Sequence, residues 1–167
     1  MALALRALLE DMSVDMSKAR VSIYRHHGGR FILVARVSQS QSLKGVGRSE
    51  YPDSEGVIGR TWDRGSTCAT GLPEARPDWD DFCVREYGMD PTAVRRLKMQ
   101  SRSLLGMRIE SATANQAPVG LLMIESLAPR GVNGANLDGL TSLPSWPLVR
   151  LVLQEVVQCL DDGDVVI

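Results

Sequence analysis

The tetrapeptide His27-Gly28-Gly29-Arg30 constrains this chain most, because it separates two runs rich in Val, Ile, Tyr and Phe and supplies adjacent glycines able to take positive φ. It predicts a β-hairpin with arms over 20–27 and 30–38. The second arm, Phe31-Ile-Leu-Val-Ala-Arg-Val37, is apolar at nearly every position, as expected of a central strand covered on both sides. A second hairpin is predicted far along the chain. In 103–113, Leu105, Met107 and Ile109 alternate against Arg108 and Glu110. The following run, 119–127, is apolar up to Glu125, and Ala-Asn-Gln-Ala links the two.

Helical periodicity surrounds these hairpins. Over 2–16, Leu5, Leu8, Leu9, Met12 and Met16 recur at three- and four-residue steps, and late in the chain Val149, Val152, Leu153, Val156 and Leu160 form a broad apolar face behind Ser145 as N-cap. Between the hairpins, 51–65 reads as a short glycine-containing helix closed by Gly65. Residues 78–87 read as a helix ended by Gly88, and Asp90-Pro91 caps a third helix to about residue 98. Residues 38–50 and 130–139 read as loops. Helix, two strands, helices, two strands, helix is an α+β order, not a parallel βαβ one. It divides the chain into an N-terminal helix (1–17), a core (18–128), a loop (129–142) and a C-terminal helix (143–161).

Charge narrows the partners. Nineteen Lys and Arg against twenty Asp and Glu, a formal net charge of -1, leave no field to draw nucleic acid. No run approaches the ~18 apolar residues of a membrane span, and Arg6, Glu10 and Asp11 break any signal-peptide core, so a cytoplasmic protein is expected. Cys68, Cys83 and Cys159 form no C-x-x-C and read as reduced thiols. Asp80-Asp81 and Asp161-Asp162-Gly-Asp164 read as solvated acids, so no metal site is expected. The starting motifs of the common serine hydrolases, Walker-type nucleotidases and zinc proteases are absent from the sequence.

Glu55-Gly-Val-Ile-Gly-Arg-Thr-Trp-Asp-Arg-Gly65 resembles the glycine-bearing helix of GAF domains. Ser101-Arg-Ser-Leu-Leu-Gly-Met-Arg-Ile109 followed by Pro118-Val-Gly-Leu-Leu-Met-Ile-Glu-Ser126 is similar to their terminal hairpin. The resemblance covers about 18–128, with PAS folds second. It implies an antiparallel sheet of five to six strands flanked by helices, with a small-molecule pocket between the sheet and 52–98. It also implies terminal helices that pair two copies into a homodimer and signal to an effector domain or protein. The stripes on 5–16 and 149–160 suit either that dimer or a layer over the chain's own sheet; the dimer is the favoured reading.

No ligand or cofactor is named by the sequence. The signature of the cyclic-nucleotide branch cannot be traced. His26 and His27 lie in the first hairpin rather than beside a bilin-bearing cysteine, and as neighbours on a strand at most one could face a haem. Trp62 and Trp79 could cap a ligand or fill the core. Arg36, Arg102 and Arg108 could hold an anion or project to solvent and pair with neighbours such as Glu110 and Glu125. Cys68, in Ser-Thr-Cys-Ala-Thr, is the thiol expected in a loop, where it could react. Trp62, Trp79, Arg36, Arg102 and Cys68 are therefore the candidate ligand-binding residues. One GAF branch, the free methionine sulfoxide reductases, uses cysteines in catalysis, but the sequences around these three do not resemble it. A domain that binds or transmits is expected, with a ligand-free interaction module and a cysteine-dependent reductase as alternatives.

Overall fold

The glycine pair makes the first turn: in the computed structural model, Gly28 and Gly29 take φ of 57° and 74°. The structure describes residues 1–45, 48–111 and 117–161, with side chains through Gln154. In chain order its elements are α1 (Ala2–Asp11), β1 (Ala19–His27), β2 (Arg30–Val37), α2 (Gln41–Lys44), β3 (Glu50–Pro52), α3 (Gly56–Arg64) and β4 (Ser66–Thr70). They continue with α4 (Arg76–Tyr87), α5 (Pro91–Arg96), β5 (Ser103–Glu110), β6 (Pro118–Ser126), α6 (Gly134–Gly139), a 3-10 turn (Leu140–Ser142) and α7 (Trp146–Asp161). The six strands form one antiparallel sheet in the order β3-β2-β1-β6-β5-β4, with helices on both faces.

Period-two alternation sorts the strand residues between two unlike faces. Val21 and Ile23 of β1, Leu122 and Ile124 of β6, and Leu105 and Ile109 of β5 turn to one side, where Leu5, Leu8 and Leu9 of α1 and Val149 and Leu153 of α7 cover them. The two terminal helices also touch each other. Leu5, Leu8, Leu9 and Met12 of the first stripe and Val149 and Leu153 of the second are thus buried in the chain's own core, because an apolar sheet face must be covered; Met16 and Val152 are half-buried. Each fully buried leucine contributes roughly 1.5–3 kcal/mol.

The other face carries Tyr24, Phe31, Leu121 and Met123 beneath α3, and Leu104 beneath α4 and α5. Helix α3 lies close against β5 because residue 106 is glycine: a methyl there would collide with Thr61 Oγ1 and stand 2.8 Å from Met123 Sδ. Helix α4 is tied down by Trp79, whose indole N–H donates to Ser101 O at 2.9 Å, and by Arg76, which donates to Val94 O and Leu97 O of the α5 segment. Asp90 caps α5, accepting from the backbone N–H groups of Thr92 and Ala93.

Several expectations are corrected. β2 is second from the edge, not central, and most of its residues are half-buried. Its mixed pattern has a local cause: a bulge sets Ile23 opposite Ala35 and Tyr24 opposite Leu33, so Val34 is an extra residue that shifts the alternation. Residues 66–70 form the edge strand β4, not a loop. Tyr51 belongs to β3, so the glycine-bearing helix starts only at Gly56, and 134–139 is a short helix with Asn133 and Asn136 as a capping box. Ser145 does not cap α7 with its hydroxyl, which has no partner among the described residues; instead its backbone N–H donates to Asp11 of α1 at 2.9 Å. Residues 41–44 add a turn of helix inside the expected loop. Most of the Ala-Asn-Gln-Ala link, and the side chains of Val156, Cys159 and Leu160, lie outside the described residues.

Candidate functional site

The apolar packing under α1 and α7 is a single cluster, whereas on the opposite face it divides in two, one part under α3 and one under α4 and α5. A cavity opens between those parts. Counted out into the solvent at its mouth, it holds about 640 Å³ of space not filled by atoms, only a small part of which is wide enough for a water molecule. That is a narrow lumen with room for a few waters or one slender molecule. Trp79, Tyr87, Met89, Met99, Leu104 and Met123 make its apolar walls.

Its polar end is built by strand pairing. Arg20 of β1 stands directly opposite Glu125 of β6, and its Nε donates to Glu125 Oε2 at 2.7 Å. The other carboxylate oxygen accepts from the Ser101 hydroxyl at 2.8 Å. Desolvation pushes the Glu125 pKa up, but the charge and hydrogen bond of Arg20, helped by Ser101, outweigh it and hold the carboxyl below its ordinary value. Two tyrosines complete this end. Tyr24 accepts from Arg36 Nη2 at 3.1 Å, and Tyr51 meets Tyr24 edge to face with ring centroids 5.7 Å apart. Burial raises both phenols. At the rim, Arg48 holds Glu55 with two bonds of 2.6 and 2.7 Å.

Of the five candidate residues, Trp79 lines this cavity. Trp62 packs elsewhere on the same face, stacked on His26 at 4.2 Å and against Phe31 at 5.4 Å. Arg36 bonds Ser22, Tyr24 and Gly45, so it supports the polar end from behind. Arg102 donates to Leu72 O at 2.7 Å and pairs with Glu74, and Cys68 sits half-buried on β4 opposite Leu105. Arg108 pairs with Glu110 and also donates to Trp62 O. Arg20, Glu125, Ser101, Tyr24, Tyr51 and Cys83 are among the cavity residues not expected from the sequence. Cys83 lies in the cavity wall, and burial, with a smaller push from Asp80, raises its thiol to about 12. Among the described residues no three His, Cys, Asp or Glu side chains are grouped to hold a metal, and no helix is long and apolar enough to cross a membrane.

No protein-family model matches the chain, and no curated protein matches it in sequence. Solved structures do match. The GAF domain from an Acinetobacter phosphoenolpyruvate-protein phosphotransferase superposes with a TM-score of 0.57 at 15% identity, covering 96% of this chain and 81% of that one. Residues 122 to 287 of a methyl-accepting chemotaxis protein give 0.58 at 16% identity, over 99% and 90% of the two chains. A type II free methionine-R-sulfoxide reductase from Thermoplasma acidophilum gives 0.57 at 14% identity, over 95% and 89%. The chain therefore has a GAF-like fold, shared by sensory and enzymatic proteins alike.

Proposed function

We propose that this is a sensory or regulatory domain of the cytoplasm that binds a small molecule in the cavity beside Trp79 and transmits its occupancy through α1 and α7. The observation that carries the reading is the asymmetry of the sheet among the described residues, one continuous apolar cluster under the terminal helices and two clusters with a cavity between them on the other side. Transmission has a short route. Arg20 and Glu125 line the cavity, while their chain neighbours Val21 and Ile124 lie in the core beneath the terminal helices. A shift of β1 or β6 at the ligand is thus felt on the far side of the same strands.

The output is a homodimer acting on an effector domain or protein. Since the inner stripes are used within the chain, the dimer would use the outer side of the terminal helices, where Leu3, Leu148 and Leu151 are exposed. Binding is favoured over thiol catalysis because burial raises both described thiols, Cys68 and Cys83, which depletes the reactive thiolate. Native mass spectra of the purified protein, beside spectra of the denatured protein, test the reading. A dimer releasing a non-covalent small molecule is expected. An empty monomer that takes up no small molecule would overturn it, and an empty dimer would favour an interaction module.

A further inference from the structure

At the polar end the groups left without a protein partner are donors. Among the described residues Arg20 gives only its Nε to a protein acceptor; its two Nη groups donate to none, yet neither is sealed from water-sized molecules. The Tyr51 hydroxyl, among the same residues, has no hydrogen-bond partner, although its ring is fixed by Arg48 over one face at 4.5 Å and by Tyr24 at its edge. Tyr24 accepts from Arg36 and keeps its own proton to give. The acceptors, by contrast, are engaged. Both oxygens of Glu125 and both of Glu55 already receive hydrogen bonds.

Charge limits the ligand. Arg48 and Glu55 cancel, and Arg20 and Glu125 cancel; Arg36, bonded to Ser22, Gly45 and Tyr24, stands behind the lining, and Asp90 acts on Arg48 at the rim. With no large surplus of positive charge, the donors suit a monoanion and fall short of what a phosphate dianion asks. The walls specify the rest of the ligand. Trp79 and Tyr87 supply flat π-surfaces, and Met89, Met99 and Met123 supply adaptable thioethers that make favourable contacts with aromatic rings.

We propose that the cavity selects a small aromatic monocarboxylate, with its carboxylate on the Arg20 Nη groups and the Tyr51 hydroxyl and its ring among Trp79 and the three methionines. This rests on the reading of the cavity as a ligand site. The test is calorimetric titration of the full chain with phenylacetate, its neutral isostere phenylacetamide, and hexanoate. Phenylacetate is expected to bind tighter than the amide by about tenfold or more, the worth of one charge-assisted contact over a neutral one. It should also exceed hexanoate, which lacks a ring. Tyr51→Phe should weaken phenylacetate about three- to tenfold and the amide, whose carbonyl accepts only a neutral hydrogen bond, by less. Arg20→Lys, which keeps a cation beside Glu125, should weaken it about tenfold by losing the fork. If Arg20→Lys fails to fold by circular dichroism, Tyr51→Phe decides alone. An amide or hexanoate binding as well as phenylacetate, or a neutral molecule released in the native spectra, overturns the ligand class while the binding reading stands. No binding of any of the three at millimolar concentration, together with an empty native spectrum, overturns both.

Discussion

On the side of the sheet under α1 and α7, Val21, Ile23, Leu122 and Ile124 meet Leu5, Leu8 and Leu9, each 1% exposed or less. One residue along the same strands, on the opposite side, stand Arg20 and Glu125, a part-buried ion pair at the end of a cavity. The two faces share a backbone, so alternation alone assigns neighbouring residues to unlike tasks. The solid face joins the terminal helices to the domain. The open face keeps charged and donor groups that would cost stability if they were not matched to each other, which is the arrangement expected of a site and not of a core.

That contrast is sharpened first by breaking the ion pair. Glu125→Gln removes the charge that compensates the part-buried Arg20, and should destabilise the fold by about 2–4 kcal/mol in denaturant titrations followed by tryptophan fluorescence. Its acid limb should change too. The Glu125 carboxyl is held below its ordinary value of 4.5, so its contribution is present above that pH and is lost as pH falls through the lower folded value. The wild type should therefore weaken more steeply than Glu125→Gln below about pH 4.5.

Next come the two faces compared by truncation. Leu8→Ala, at a site 0% exposed, should cost about 3–5 kcal/mol, whereas Leu104→Ala should cost nearer 2 kcal/mol because the space it vacates joins a cavity already open to water-sized molecules. Equal losses would count against an open second face. Gly106→Ala should cost about 1–3 kcal/mol by pushing α3 away from β5, and should loosen the cavity more than the terminal helices. The smallest effect is expected from Leu151→Ser. At 53% exposure it should leave the stability of the folded chain within about 0.5 kcal/mol, while raising the dissociation constant of the dimer in sedimentation.

Much of the fold was legible because it rests on local signals: paired glycines for the first turn, three- and four-residue spacing for α1 and α7, alternation for β5, and Asp-Pro for α5. Strand β4 was not, since Ser-Thr-Cys-Ala-Thr has no bulky alternating residues and is held in the sheet by β5. The bulge at Val34 hid which face each residue of β2 belongs to. The site was less legible than the fold, because Arg20 and Glu125 lie 105 residues apart and meet only through β1–β6 pairing. One signal did exist: Glu125 shares its strand parity with Leu121 and Met123, and a charge on an otherwise apolar face has to find a partner there. Trp79 was legible as an aromatic on the inner side of α4, though nothing in its local sequence tells a cavity wall from core filling.

The central claim, that one face of the sheet is open to a ligand and the other closed, is tested most directly by the methionines, which mark both. Met89, Met99 and Met123 line the cavity, while Met12 and Met107 belong to the packing under α1 and α7. With 13C-labelled methionine methyl groups and titration with phenylacetate or its neutral amide, the cavity methyl signals should shift saturably while those of Met12 and Met107 move far less. Cavity signals that stay fixed with both molecules, or a shift shared evenly by all five, would contradict the account.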